Sequence, residues 1–415
     1  MAPALPRARP AGALRRLAGL ACLLLAACGG GGSGGSVGGG SIFYDVPGGG
    51  GARVEVPNLT ASDLWPTYGS LSMGRYSHTA TLLASGRVLV AGGTVAGTLL
   101  TDRAEIYVPS TQQFVTTTGS MAVARSNHVA VRLLDGRVLL AGGYVEGSLG
   151  VLSVLDRAEV FDPSTGTFTE VGRMVRPRTD AAAALLPDGR VLVTGGSRLE
   201  GGDLLDHDDA EVFDPATGRF ALLASRMLHT RATHLLLPLG DGSLLLAGGS
   251  DADERCERFE PGSDAFVPFA PPGTGGPRYN ACGAVLPGGA ALVAGGGNSN
   301  AVFYAPADGS GVRDASSPLA RNRVFATATP VSDHVVLVVG GYDFGNGGVL
   351  TRSCELLVED GSTPGAGTYA TALVFPRGMG AHSATRLPDG RILFVGGIGT
   401  DPAQAGQASA YLLTP

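Results

Sequence analysis

The sequence contains no lysine. All 30 of its basic residues are arginine, set against 36 Asp and Glu for a formal net charge of −6. Without lysine there is no GxxxxGK phosphate loop, and the acidic balance argues against a general nucleic-acid binder. No HExxH occurs, and no GxSxG stands in a strand–turn–helix context. The longest apolar run, Leu17 to Ala27, is too short to span a bilayer comfortably. Tryptophan occurs once and cysteine five times. Glycine (66) and proline (26) are abundant but lack the strict triplet period of collagen, and a 44% hydrophobic content is enough to bury a core. The 415 residues leave room for two or three ordinary domains or one larger repeat fold.

Four arginines (Arg7, Arg9, Arg15, Arg16) precede the Leu17–Ala27 run, as in a secretory signal. The run ends in Leu25-Ala26-Ala27-Cys28, which resembles a bacterial lipoprotein cleavage box. That resemblance implies cleavage after residue 27 and lipidation of Cys28. The remaining chain has 26 Arg against 36 acidic residues, a formal charge of −10, so Arg is not expected to hold it on an anionic membrane. Residues 29–40, GGGGSGGSVGGG, read as a flexible tether. The expected organisation is a signal peptide at 1–27, lipidated Cys and tether at 28–50, and one folded unit at 51–415.

From residue 70 onward one pattern recurs, as in HTATLLASGRVLVAGG, NHVAVRLLDGRVLLAGG and TDAAAALLPDGRVLVTGG. The Gly-Gly pairs begin at Gly92, Gly142, Gly195, Gly248, Gly295, Gly340 and Gly396, a period near 51. Each unit reads as four short strands: HTATLL, RVLVAGG, RAEVFDP and a last strand around Phe114, Phe168, Phe220 or Phe266. This pattern resembles the kelch repeat. The resemblance implies an all-β fold, a seven-bladed propeller with four antiparallel strands per blade.

The seventh unit stops after three strands, so an N-terminal strand must close it. Two segments fit, Ala52–Pro57 and the stretch around Trp65; the latter is favoured, with Trp65 as a packing residue inside the blade. The loops between second and third strands vary in length and composition while the other turns are uniform, which makes the face carrying them the candidate binding face.

Two residue columns flank the start of the first strand. One is Arg75, Arg125, Arg178, Arg231, Arg278 and Arg323, interrupted by Met379 in the seventh unit. It is either an anion-facing ring at the channel mouth or one half of a structural ion pair with Glu105, Glu159, Glu211, Glu257 and Glu355. The other is His78, His128, His234 and His382, read as packed or hydrogen-bonded rings or, for the three on neighbouring blades, as metal ligands. Arg125, Arg231 and Arg278 are the ligand-binding candidates, with Tyr144 and Tyr342, which follow two Gly-Gly pairs. The cluster Asp203, Asp206, Asp208 and Asp209 around His207 is a solvated acidic loop or a calcium loop. Cys256, Cys282 and Cys354 are expected to be buried thiols, a Cys256–Cys282 bond being the alternative.

The chain also resembles, in part, the propeller of secreted copper–radical oxidases of the galactose oxidase type. Those need a Cys–Tyr crosslink, a second Tyr and His ligands, one of them from a domain after the propeller. With the sequence ending two residues past Leu412-Leu413, that ligand set is not expected to be completed. A second kelch propeller family, the periplasmic sialic-acid mutarotases, has six blades and offers a generic likeness. The lone Trp65 excludes a set of the SxDxGxxW turns of hydrolytic sialidases. The reading is therefore a lipid-anchored cell-envelope propeller, more on the outer than the inner membrane, and monomeric. It binds an envelope protein or glycan, with neither cofactor nor metal expected. The alternative is a sugar oxidase, epimerase or mutarotase acting on the same face.

Overall fold

The computed structural model describes residues 42–45, 53–95, 99–146, 151–250, 256–269, 278–305, 311–314, 318–343, 345, 347–359, 368–399 and 406–415. The signal segment and Cys28 lie outside them. The chain forms seven four-stranded antiparallel sheets in sequence order, blades 1 to 7. Blade 1 is Thr79–Leu82, Val88–Ala91, Ala104–Val108 and Gln113–Thr116, and blade 2 repeats it with Val129–Arg132, Val138–Ala141, Ala158–Asp162 and Thr167–Glu170. The first strands pack in a closed cycle, blade 7 against blade 1 included.

Buried on both sides, the second strand is a continuous apolar run in six blades, and in blade 3 it is broken only by Thr194 at its end. In Val88–Ala91, Leu89 and Ala91 pack toward Val138, Leu140 and Phe161 of blade 2. Val88 and Val90 turn the other way, to Leu393, Val395 and Leu412 of blade 7. Strand alternation thus sends one residue set to each neighbour. Farther out, Tyr107–Phe114, Phe161–Phe168, Phe213–Phe220 and Phe259–Phe266 pair across the third and fourth strands, with centroids 4.8–5.1 Å apart.

The Gly-Gly pair joins each blade to the next. In Gly142-Gly143 both residues have positive φ, +67° and +89°. A Cβ on Gly142 would stand 2.4 Å from the Arg178 carbonyl oxygen of blade 3. One on Gly143 would meet the Ser126 carbonyl at 2.5 Å and the Cβ of His128, in its own blade, at 3.0 Å. The Gly143 N–H then donates to that same Arg178 carbonyl at 2.8 Å. Corresponding bonds run from Gly93, Gly196, Gly249, Gly296, Gly341 and Gly397 to the next blade, the last reaching Arg75 and closing the ring.

Blade 7 consists of Ser383–Arg386, Ile392–Val395, Ala410–Leu413 and, as its outer strand, Leu64–Pro66. The Trp65 segment therefore closes the ring, as expected, but the role given to Trp65 needs correction. Leu64 pairs with Leu413, the position of Tyr107, so Leu64 takes the inward place of Phe114 and is buried. Trp65, one residue on, faces outward and is 59% exposed. The other candidate strand, Arg53–Val56, pairs instead with Ile42–Asp45. Val56 and Leu59 then seat the incoming chain in the apolar core shared by blades 6 and 7.

Candidate functional site

Antiparallel topology puts the tight first-to-second turns on one face and the variable loops on the other. Four of those loops extend as two-stranded ribbons: Thr94–Val95 with Leu99–Leu100, Tyr144–Glu146 with Leu152–Val154, Ser197–Glu200 with Asp203–Asp206, and Tyr342–Asp343 with Val349–Leu350. The ribbons of blades 1, 2 and 3 stand side by side, Leu99–Leu100 beside Tyr144–Glu146 and Leu152–Val154 beside Ser197–Glu200. This wall leaves Leu99 66% exposed, with Leu152, Leu199 and Leu205 also open to solvent.

Inside the wall lies a ring the sequence reading missed. The residue just before each His-column position, Ser77, Asn127, Asp180, Thr233, Asn280, Phe325 and Ala381, has φ between +50° and +58°. Six links among the described residues run from the N–H of one to the carbonyl of its predecessor in the preceding blade, from Ser77 to Ala381 (3.2 Å) through Asn127 to Ser77 (3.3 Å) and onward. Seven non-glycine residues in the left-handed region are a store of backbone strain of the kind that gathers at functional sites. Five consecutive members are polar. The Asn127 Nδ2 donates to Asp180 Oδ1 at 2.6 Å, across blades 2 and 3. Asn and Asp at these positions are the one sequence signal that was available.

The Arg column does not line the mouth, and the binding role expected of Arg125, Arg231 and Arg278 is corrected. Arg125 is fully buried; its guanidinium donates to the carbonyls of Gly142 (3.1 Å) and Arg157 (2.8 Å) and to Glu159 Oε1 (2.6 Å). Arg231 likewise reaches the Gly248 carbonyl and Glu257. Arg278 reaches the carbonyls of Gly295 and Asn300, Val302 standing where five other blades carry Glu. Each Glu also accepts a backbone N–H from the strand connection, as Glu159 does from Ala122 at 2.7 Å. Burial beside a hydrogen-bonded Glu makes Arg75, Arg125, Arg178, Arg231 and Arg323 the structural ion pairs of the alternative reading.

The His column is structural as well. His128 Nε2 lies 3.0 Å from Thr79 Oγ1, His382 Nε2 2.9 Å from Thr327 Oγ1, and His78 Nε2 2.9 Å from Ser383 Oγ, each a hydroxyl on the first strand of the preceding blade. Burial, aided by the nearby Arg125 and Arg231 charges, pushes the His128 and His234 rings down to about 3, so they are neutral. Among the described residues no group of three or more His, Cys, Asp or Glu is placed to hold a metal ion.

Tyr144 is half-buried, hydrogen-bonded to Thr94 and Ser126 beside the ring, and burial raises its phenol. Tyr342 stands edge-on to Phe325 of the ring at 6.2 Å. The acidic cluster is neither a calcium loop nor wholly solvated. Asp206 accepts from Ser197 and Ser250, Asp208 pairs with Arg226, and Asp209 is buried against Arg178 and Arg176. Burial works against the Asp209 carboxylate, but Arg178 outweighs it and holds the group below its ordinary range.

Cys256, Cys282 and Cys354 are free, buried thiols. Cys256 does meet Tyr304, Sγ to Oη 3.2 Å, but in apolar packing with Leu245 and Val293 between blades 4 and 5.

A family model described as Kelch motif matches residues 125–175. A search of curated proteins gives no match. Among solved structures, one titled "Structure of YjhT" is similar at a TM-score of 0.55 and 12% identity, covering 73% of this chain and 99% of that one. A fungal alcohol oxidase of the AA5 family, in complex with copper, is similar at a TM-score of 0.64 and 19% identity, covering 85% of this chain and 75% of that one. At these identities the likeness is one of fold.

Proposed function

We propose that this β-propeller, which carries a Kelch motif match at residues 125–175, is a membrane-anchored, extracytoplasmic binding module for an envelope protein or glycan. The observation that carries this reading is the wall of ribbons on blades 1 to 3. Leu99, Leu152, Leu199 and Leu205 are exposed on these ribbons beside a polar ring, Leu199 and Leu205 on opposite sides of theirs, and exposed apolar side chains on protruding ribbons support a protein-binding surface. Tyr144 and Tyr342 flank the ring and supply aromatic faces to the same ligand. Anchoring through Cys28 and residence in the cell envelope follow from the N-terminal sequence.

The enzymatic alternative, a sugar-active oxidase, epimerase or mutarotase, would use the same mouth, where Asp180 is the acidic member of the ring. The test is cross-linked capture from intact cells by the wild-type chain and by a Leu199→Asp/Leu205→Asp variant. A specific partner lost only in the variant supports the protein-binding reading. A partner retained by both moves the site off the wall, and turnover of a sugar abolished by Asp180→Asn would favour the enzyme.

A further inference from the structure

We infer that the outward aromatic edge of blade 7, Trp65 with Tyr68, is a contact for the lipid headgroup interface. The inference rests on the lipid anchoring proposed above. Trp65 is the chain's single tryptophan, and the register of Leu64–Pro66 turns it away from the core. It is 59% exposed and Tyr68, three residues on, is 83% exposed. The core has no use for either ring, since Leu64 fills the inward position.

Position in the chain selects the occupant. The strand carrying Trp65 is directly preceded by the segment that Val56 and Leu59 pin between blades 6 and 7. The N-terminal chain therefore joins the domain at the rim of blade 7. Cys28 to Ser41 is 14 residues, which bounds the distance from the lipid to Ile42 at about 50 Å by covalent geometry. Anchoring at Cys28 thus holds this rim, of all the propeller's surface, close to the bilayer. Trp and Tyr carry an apolar body with a polar tip, and the headgroup layer satisfies both. With a net charge of −10 beyond residue 27, adhesion through aromatic side chains suits the domain better than attraction to anionic lipid. Docked this way, the propeller stands on its rim, and the ribbon-bearing face opens sideways, clear of the membrane.

The single tryptophan makes the test direct. The chain from Cys28 onward is coupled through that thiol to a maleimide lipid in phosphatidylcholine vesicles; Cys256, Cys282 and Cys354 are buried and do not compete. Tethering is expected to shift Trp65 emission to the blue and to lower acrylamide quenching about twofold, as for a ring half withdrawn from water. Brominated phosphatidylcholine should quench it. Emission and quenching identical in tethered and free protein would overturn the inference. So would shielding from acrylamide without bromine quenching, which would assign the edge to a protein neighbour. Coupling imposes attachment, so this outcome is separate from the lipidation of Cys28, which is read from the mass of the N-terminal peptide isolated from cells.

Discussion

His234 of blade 4 places its Nε2 2.8 Å from Thr194 Oγ1, on the second strand of blade 3. Its counterparts in blades 1, 2 and 7 bond a hydroxyl on the first strand of the preceding blade. In blade 3 that first-strand position is Ala182, and Thr194 is the residue paired with it across the sheet. The hydroxyl has moved to the neighbouring strand while the interblade contact is kept. Thr194→Ala is expected to destabilise the protein by about 1–3 kcal/mol, the cost of an unpartnered buried polar atom. Adding Ala182→Thr should restore much of the loss. A denaturant double-mutant cycle showing no coupling would refute this account of the column.

The same rings predict acid sensitivity. His128, His234 and His382 are buried and pushed from 6.5 to about 3. Between those values the unfolded chain binds protons that the folded chain refuses. Stability is therefore fully present above pH 6.5 and falls as pH drops toward 3. At pH 5 the loss is on the order of 2 kcal/mol per ring. Urea midpoints measured from pH 7 to pH 4.5 should fall steadily, and more gently in His128→Gln.

Glu159 bridges Arg125 and the Ala122 N–H. Glu159→Ala leaves a buried guanidinium without its counter-charge and should cost about 3–5 kcal/mol. Blade 7 places Met379 and Tyr411 at the Arg and Glu positions, an uncharged version of the same joint, and both the Met379 and Arg178 backbone carbonyls still accept from the preceding blade. The double replacement Arg125→Met/Glu159→Tyr is accordingly expected to cost less than Glu159→Ala alone, as thermal unfolding would show.

Glycine substitutions separate strain from crowding. Gly201 has φ +62° with nothing near its absent Cβ, so Gly201→Ala should cost about 1–2 kcal/mol from conformation alone. Gly142→Ala adds a Cβ 2.4 Å from the Arg178 carbonyl and should cost far more, with loss of soluble protein as the readout.

At the closing strand, Leu64→Ala removes a buried side chain and should cost about 2–5 kcal/mol. Trp65→Ala, one residue away, should fall within roughly 0.5 kcal/mol of wild type, since surface positions contribute little. A large loss for Trp65→Ala would place its ring in the blade after all.

The blades, their order and the closing segment were legible because paired glycines and a four-residue apolar strand recur at fixed spacing. The Arg–Glu pairing was legible as one of two alternatives, and burial decided it. The direction of Trp65 was not, because the distance from outer strand to Arg column varies by a residue between blades, and one residue reverses a side chain. The ring of left-handed residues escaped notice because its members share a backbone conformation while their side chains range from Asp180 to Phe325. The ribbons were read as loops, their sequences being too short and too varied for a strand pattern.

The most direct test of the binding account is photo-cross-linking in intact cells with benzoylphenylalanine placed at Leu199 on the ribbon wall or at Leu134, which is 73% exposed in a tight turn on the opposite face. The account predicts a discrete adduct from position 199 and none from position 134. Adducts from position 134 alone, or from neither, would contradict the assignment of the binding surface to the ribbon-bearing face.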